Sequence, residues 1–107
     1  MTSAGAGEHE QPRPAELEEL RAAIDAVDRA IVDAFALRVQ TARRIGEVKE
    51  GLGQPVLDPS REVAVVRRAA ERAREAGLDD EAVREIFWKL VGLSRRTQRD
   101  ERGGDHG

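Results

Sequence analysis

The sequence predicts an all-α chain of three helices, the first of them long enough to require a second copy of the chain beside it. Three observations carry this expectation. Apolar residues recur at three- and four-residue steps from Leu17 to Ile45 with no breaker between them. The segments "GLGQP" and "DPSRE" then stop one helix and start another. No stretch alternates apolar and polar residues in the way of a half-buried strand.

The first helix is expected over residues 15–50. Pro14 suits a first helical turn, and Glu16, Glu18 and Glu19 lie near its positive end. Its stripe is Leu17, Leu20, Ile24, Val27, Ile31, Ala34, Phe35, Ala42 and Ile45. At about 1.5 Å per residue such a helix is roughly 54 Å long, whereas a compact domain of this size has a radius of gyration of only about 13 Å. Its own short chain cannot cover it.

The second helix begins with Asp58 as N-cap and Pro59 in the first helical position. Val63, Val66, Ala69, Ala70 and Ala73 form its apolar face, and Gly77 supplies the stop. The third helix follows Asp79 as N-cap and carries Val83, Phe87 and Leu90 on its stripe with Ile86 beside it, fraying after about Asp100. Residues 1–13 and 101–107 lack periodicity and are expected to be disordered tails flanking one domain over 14–100.

Composition excludes several functions. The chain has 107 residues, 36% of them charged and 3% aromatic, so one copy has few large side chains for a core. A net charge of −3 argues against nucleic acid as a partner. There is no cysteine, and His9 and His106 both lie in the tails, so no metal site is expected. No segment is apolar enough to span a bilayer, and nothing at the N-terminus resembles a signal peptide, so a cytoplasmic protein is expected.

Polar residues then interrupt the apolar stripes. The first helix continues as 31, 34, 38, 42, 45 and 49, and two of those positions are Arg38 and Lys49. They share a face, about 16 Å apart along the axis, so both can reach one small anion. The alternative is that each buries its stem and keeps its charge in water. Lys49 is one of two lysines among 18 basic residues, so a lysine there invites a specific reason. Ser94 and Gln98 continue the stripe of the third helix, and Glu62 is in line with Val66, Ala69 and Ala73 on the second. Taken singly, each has an ordinary explanation as a solvated helix end or a carboxylate favouring the helix dipole. One shared explanation is a polar cavity lined by all three helices, suited to a small polyanion gripped by arginine. Arg21 is about 25 Å from Arg38 along the axis and about 100° around it. Within one subunit it does not converge with the other cations, but in an antiparallel pair of long helices it can enter the partner's site.

The ordered set "LRAAIDAVDRAIV", "LR" at 37–38, "IGEVK" at 45–49, "PVLDPSRE" at 55–62 and "SRRTQ" at 94–98 resembles the all-helical, AroQ-type chorismate mutases over residues 15–100. The resemblance implies an intertwined homodimer that rearranges chorismate, a small dianion, to prephenate in aromatic amino-acid biosynthesis, with no cofactor. It further implies that Arg21 reaches a carboxylate in the partner's site and Arg38 grips a carboxylate in its own. Lys49 is implied to touch a carboxylate and the ether oxygen, with Gln98 as a second donor to that oxygen. Asp58, Arg61 and Glu62 then surround the ring hydroxyl, and Ser94 contacts a carboxylate. On the same scaffold, 4-amino-4-deoxychorismate mutase and isochorismate–pyruvate lyase remain alternatives, and a non-catalytic helical dimerisation module is the alternative from another class.

Overall fold

A computed structural model describes residues 11–104, with side chains through residue 97. Among the described residues the chain is three α-helices without strands: α1 over Pro14–Gly51, α2 over Pro59–Glu75 and α3 over Asp80–Gly104. Among the described residues no helix is long and apolar enough to cross a membrane. The chain divides into two compact units, the first ending at Ala34 and the second beginning at Phe35.

The described part of the first unit is the N-terminal arm of α1. Pro14 opens it, and the Arg13 carbonyl accepts from the Glu16 amide at 3.0 Å. Every described residue of this unit is exposed, including Leu17, Leu20, Ile24, Val27 and Ile31. The expected stripe is therefore present in spacing and bare within the chain.

In the second unit, α1 ends as the two glycine-bearing stops predict. Gly53 adopts φ +71°, the Gln54 amide donates to the Lys49 carbonyl at 2.8 Å, and the Gly53 amide donates to the Glu50 carbonyl at 3.1 Å. That pair of bonds satisfies carbonyls the helix end would otherwise leave open, and it requires a residue at ease with positive φ. The end of α2 repeats the device with Gly77 at φ +76°, Leu78 donating to Ala73 and Gly77 donating to Arg74. The Asp58 side chain caps α2 by accepting from the Arg61 amide at 3.1 Å, with Pro59 in the first turn. Asp79 caps α3 through the amides of Glu81 and Ala82.

The helices α2 and α3 form an antiparallel hairpin, bracketed by Glu62–Arg95 at one end and Arg74–Asp80 at the other. Val66, Ala69, Ala70 and Ala73 are buried, and on α3 so are Leu90, Val91 and Ser94. Alanines let the two backbones approach closely, and the cost is a core with few large side chains. Among the described residues, α2 and α3 are the pair whose backbones pack closely, and α1 meets them through side chains. At the turn end of the hairpin, Arg74 donates to Asp80 at 2.6 Å. This hydrogen bond holds the Asp80 carboxyl below the usual carboxylate range.

Two expectations need correction. Val63 was expected on the buried face of α2 and is exposed, because it lies at the edge of the face that Glu62, Val66, Ala69 and Ala73 turn to α3. The third helix does not fray after Asp100 but runs to Gly104, so residues 101–104 are helical rather than tail. No proline or glycine interrupts 93–102, and backbone hydrogen bonding propagates to the glycine pair at 103–104. Residues 1–10 and 105–107 of the expected tails, with His9 and His106, lie outside the described residues.

A Cβ added at Gly77 or at Gly51 meets nothing within 4 Å, so substitution there tests backbone conformation alone. Gly77→Ala should lower the unfolding free energy by about 1–2 kcal/mol because of its left-handed φ. Gly51→Ala, in the last helical residue of α1, should raise it by about 0.5–1 kcal/mol. Urea melts of the two variants read both signs, and equal midpoints would overturn this account of the helix ends.

Candidate functional site

An open cleft of about 260 Å³ lies in the second unit, where the C-terminal turns of α1, the segment leading into α2, the first turn of α2 and residues 91–95 of α3 converge. Ala42, Ile45, Val56, Val65 and Val91 give it apolar walls. Into these walls are set Arg38, Lys49, Asp58, Arg61, Glu62 and Ser94. Six residues proposed from the sequence thus share one cavity, although they come from three helices.

Each is placed by its local structure. Arg38 is half-buried, and its Nη1 donates to Ser94 Oγ at 2.9 Å. Ser94 is 5% exposed, and its hydroxyl donates in turn to the Leu90 carbonyl at 3.1 Å. The hydroxyl hydrogen is thereby directed along α3, leaving the oxygen lone pairs for the guanidinium. Lys49 is half-buried in the last turn of α1, where the helix dipole favours a cation. Glu62 lies in the first turn of α2, where the dipole favours an anion. Asp58 points its carboxylate back to cap α2 and also lines the cleft, so one residue serves both the helix start and the cavity.

The other two proposed residues stand differently. Arg21 belongs to the first unit, where it is exposed and pairs with Glu18 at 3.1 Å. The side chain of Gln98 lies outside the described residues, and its position is one helical turn after Ser94 in α3.

Sequence reasoning missed Arg95. Its Nε donates to Glu62 Oε2 at 3.2 Å and its Nη2 to Glu62 Oε1 at 2.6 Å, so both carboxylate oxygens are engaged. Such a paired fork fixes orientation as well as charge. Helical spacing alone does not tell which of Arg95 and Arg96 turns inward, and Arg95 is 33 residues from the carboxylate it holds. Thr41 also lines the cleft, one turn after Arg38, and its hydroxyl donates to the Leu37 carbonyl at 2.7 Å. Its spacing of three from Arg38 was the available signal.

The cleft therefore gathers four cationic side chains, Arg38, Lys49, Arg61 and Arg95, against the two carboxylates of Asp58 and Glu62. The chain belongs to the chorismate mutase type II family, whose family model matches residues 20–99. It is 31% identical over 83 residues to the chorismate mutase of Methanocaldococcus jannaschii, covering 78% of this chain and 84% of that protein. It is 37% identical over 82 residues to the 4-amino-4-deoxychorismate mutase of Streptomyces pristinaespiralis, covering 77% and 64%. The T-protein of Enterobacter agglomerans is 30% identical over 87 residues, covering 81% of this chain, which spans only 23% of that protein.

Ser94→Ala removes the acceptor of Arg38 while leaving that half-buried guanidinium open to rehydration. The variant should lose about 1 kcal/mol of unfolding free energy in urea. An unchanged midpoint would show that the link between α1 and α3 contributes nothing to stability.

Proposed function

We propose that the protein is a chorismate mutase of the cytoplasm, converting chorismate to prephenate in aromatic amino-acid biosynthesis. The observation that supports this most is the cleft itself, in which Arg38, Lys49, Arg61 and Arg95 outnumber Asp58 and Glu62 in a chain of this family. The chorismate mutase relative covered over most of its length supports the same reading.

The reaction is a unimolecular bond exchange: the ether carbon–oxygen bond breaks as a carbon–carbon bond forms, with no obligatory proton transfer. The site therefore has two tasks. It holds the enolpyruvyl side chain over the ring, with Arg38 and a partner's Arg21 as the proposed clamps on the two carboxylates. It also stabilises the negative charge growing on the ether oxygen, with Lys49 and Gln98 as the proposed donors. Arg61, Asp58 and Glu62 form the proposed ring end, and Ser94 steadies Arg38 beside a carboxylate. Lys49→Ala should lower kcat by about 10²–10³, the effect of removing one preorganised donor, with a smaller change in KM. Wild-type turnover in that variant would sink the assignment.

The working unit in this reading is an intertwined homodimer. Its support is the bare arm of α1, where Leu17, Leu20, Ile24, Val27 and Ile31 recur at helical spacing and are all exposed. Each such side chain contributes about 1.5–3 kcal/mol when fully buried, which a second copy supplies. If Arg21 serves the partner's site, Arg21→Ala and Lys49→Ala chains are each inactive alone, and their mixed dimer contains one intact site. Unfolding and refolding an equal mixture should then restore about a quarter of wild-type activity by random pairing of two chains. No recovery, with dimers present by sedimentation, would place Arg21 in its own subunit's site, and an Arg21→Ala chain active by itself would place it outside any site.

The second reading is a mutase for 4-amino-4-deoxychorismate, favoured by relatives of that name at 37% and 35% identity. The substrates differ at the ring substituent, so the ring end of the cleft decides between them.

A further inference from the structure

The charges lining the cleft can be read in two halves. Arg38 and Lys49 come from α1 and have no carboxylate beside them among the residues lining the cavity's α1 wall. At the α2 end, Asp58 and Glu62 are accompanied by Arg61 and Arg95. Glu62 is engaged at both oxygens by the Arg95 fork, and Arg61 follows Asp58 at the start of the same helix. The α1 half thus carries a net positive charge, and the α2 half is balanced. Without Arg95 the α2 half would be net negative and would attract a cation.

The geometry points to Arg95 as a specificity-determining residue: by pairing with Glu62 it makes the ring end of the cleft favour a neutral hydroxyl over an ammonium. The inference rests on the mutase reading above and adds the basis on which the site separates its two candidate substrates. A carboxylate has about four lone-pair positions, and the fork occupies two. Glu62 therefore still accepts a hydrogen bond from a ring hydroxyl while its charge is offset. A ring ammonium instead meets the neighbouring guanidinium of Arg95, and desolvated like charges at such distances are unfavourable.

The test compares kcat/KM for chorismate and for 4-amino-4-deoxychorismate in wild type, Arg95→Met and Arg95→Lys. Wild type should prefer chorismate. The amino-to-hydroxyl ratio should rise about ten-fold or more in Arg95→Met and stay near the wild-type value in Arg95→Lys, which restores the charge. An unchanged ratio in a folded Arg95→Met chain that still consumes chorismate overturns this inference and leaves the mutase reading intact. Consumption of neither substrate by wild type overturns the mutase reading and this inference with it. A second measurement needs no substitution. Raising the pH through the pKa of the analogue's own amine makes that substrate neutral, so its kcat/KM relative to chorismate at the same pH should rise in wild type. A flat ratio across that titration overturns the proposal, since Arg38, Lys49, Asp58, Arg61, Glu62 and Arg95 face both substrates alike.

Discussion

The second unit depends on keeping several guanidinium and ammonium groups close together in a partly dry cleft. Like charges brought together out of water repel strongly unless each has an acceptor or a counter-charge. The structure meets this in three ways. Arg38 rests on a serine hydroxyl whose hydrogen is committed elsewhere, Arg95 rests on both oxygens of Glu62, and Lys49 lies in the last turn of α1, where the helix dipole favours a cation. These arrangements hold α1 to α3 and α2 to α3, so the groups that would bind a ligand also connect the helices. A hairpin core that rests on three alanines, two valines and a leucine among the described residues has little other material for the purpose.

The helix ends matter for the same reason. The cleft lies where α1 stops and α2 starts, and both events are fixed by local chemistry. The left-handed glycine at 53 turns the chain out of α1, and the Asp58–Pro59 pair starts α2 a few residues later. Lys49 and Glu62 consequently occupy the last turn of one helix and the first turn of the next. There the dipole of each helix favours the charge it carries. The short connection brings the two turns to the same cavity. Asp58 links the two roles most directly, since the carboxylate that caps α2 also forms part of the cleft wall.

The first unit follows a different logic. Its arm is regular but wholly exposed, with large aliphatic side chains on one stripe. An isolated helix of this kind gains little from its own hydrogen bonds, and most helical stability in proteins comes from packing an apolar face. The arm thus has the sequence of a buried helix and, within one chain, the exposure of a free one. The homodimer proposed above would reconcile the two. The same arrangement would bring Arg21, which pairs with its neighbour Glu18, into the cleft of a partner.

By itself the sequence determined the three helices, their starts and most of their stops, because caps, prolines and left-handed glycines act within a few residues. It also exposed the anomaly of Arg38 and Lys49 on an apolar stripe, since helical periodicity shows at once which position is out of place. Only the tertiary structure decided that Val91 rather than Val63 is buried, and that Arg95 rather than Arg96 turns inward to Glu62. Periodicity assigns a side chain to a face, but its partners depend on how far two helices overlap and on the angle at which they meet. Residues 62 and 95 come together through that packing, and no local pattern around either of them encodes it.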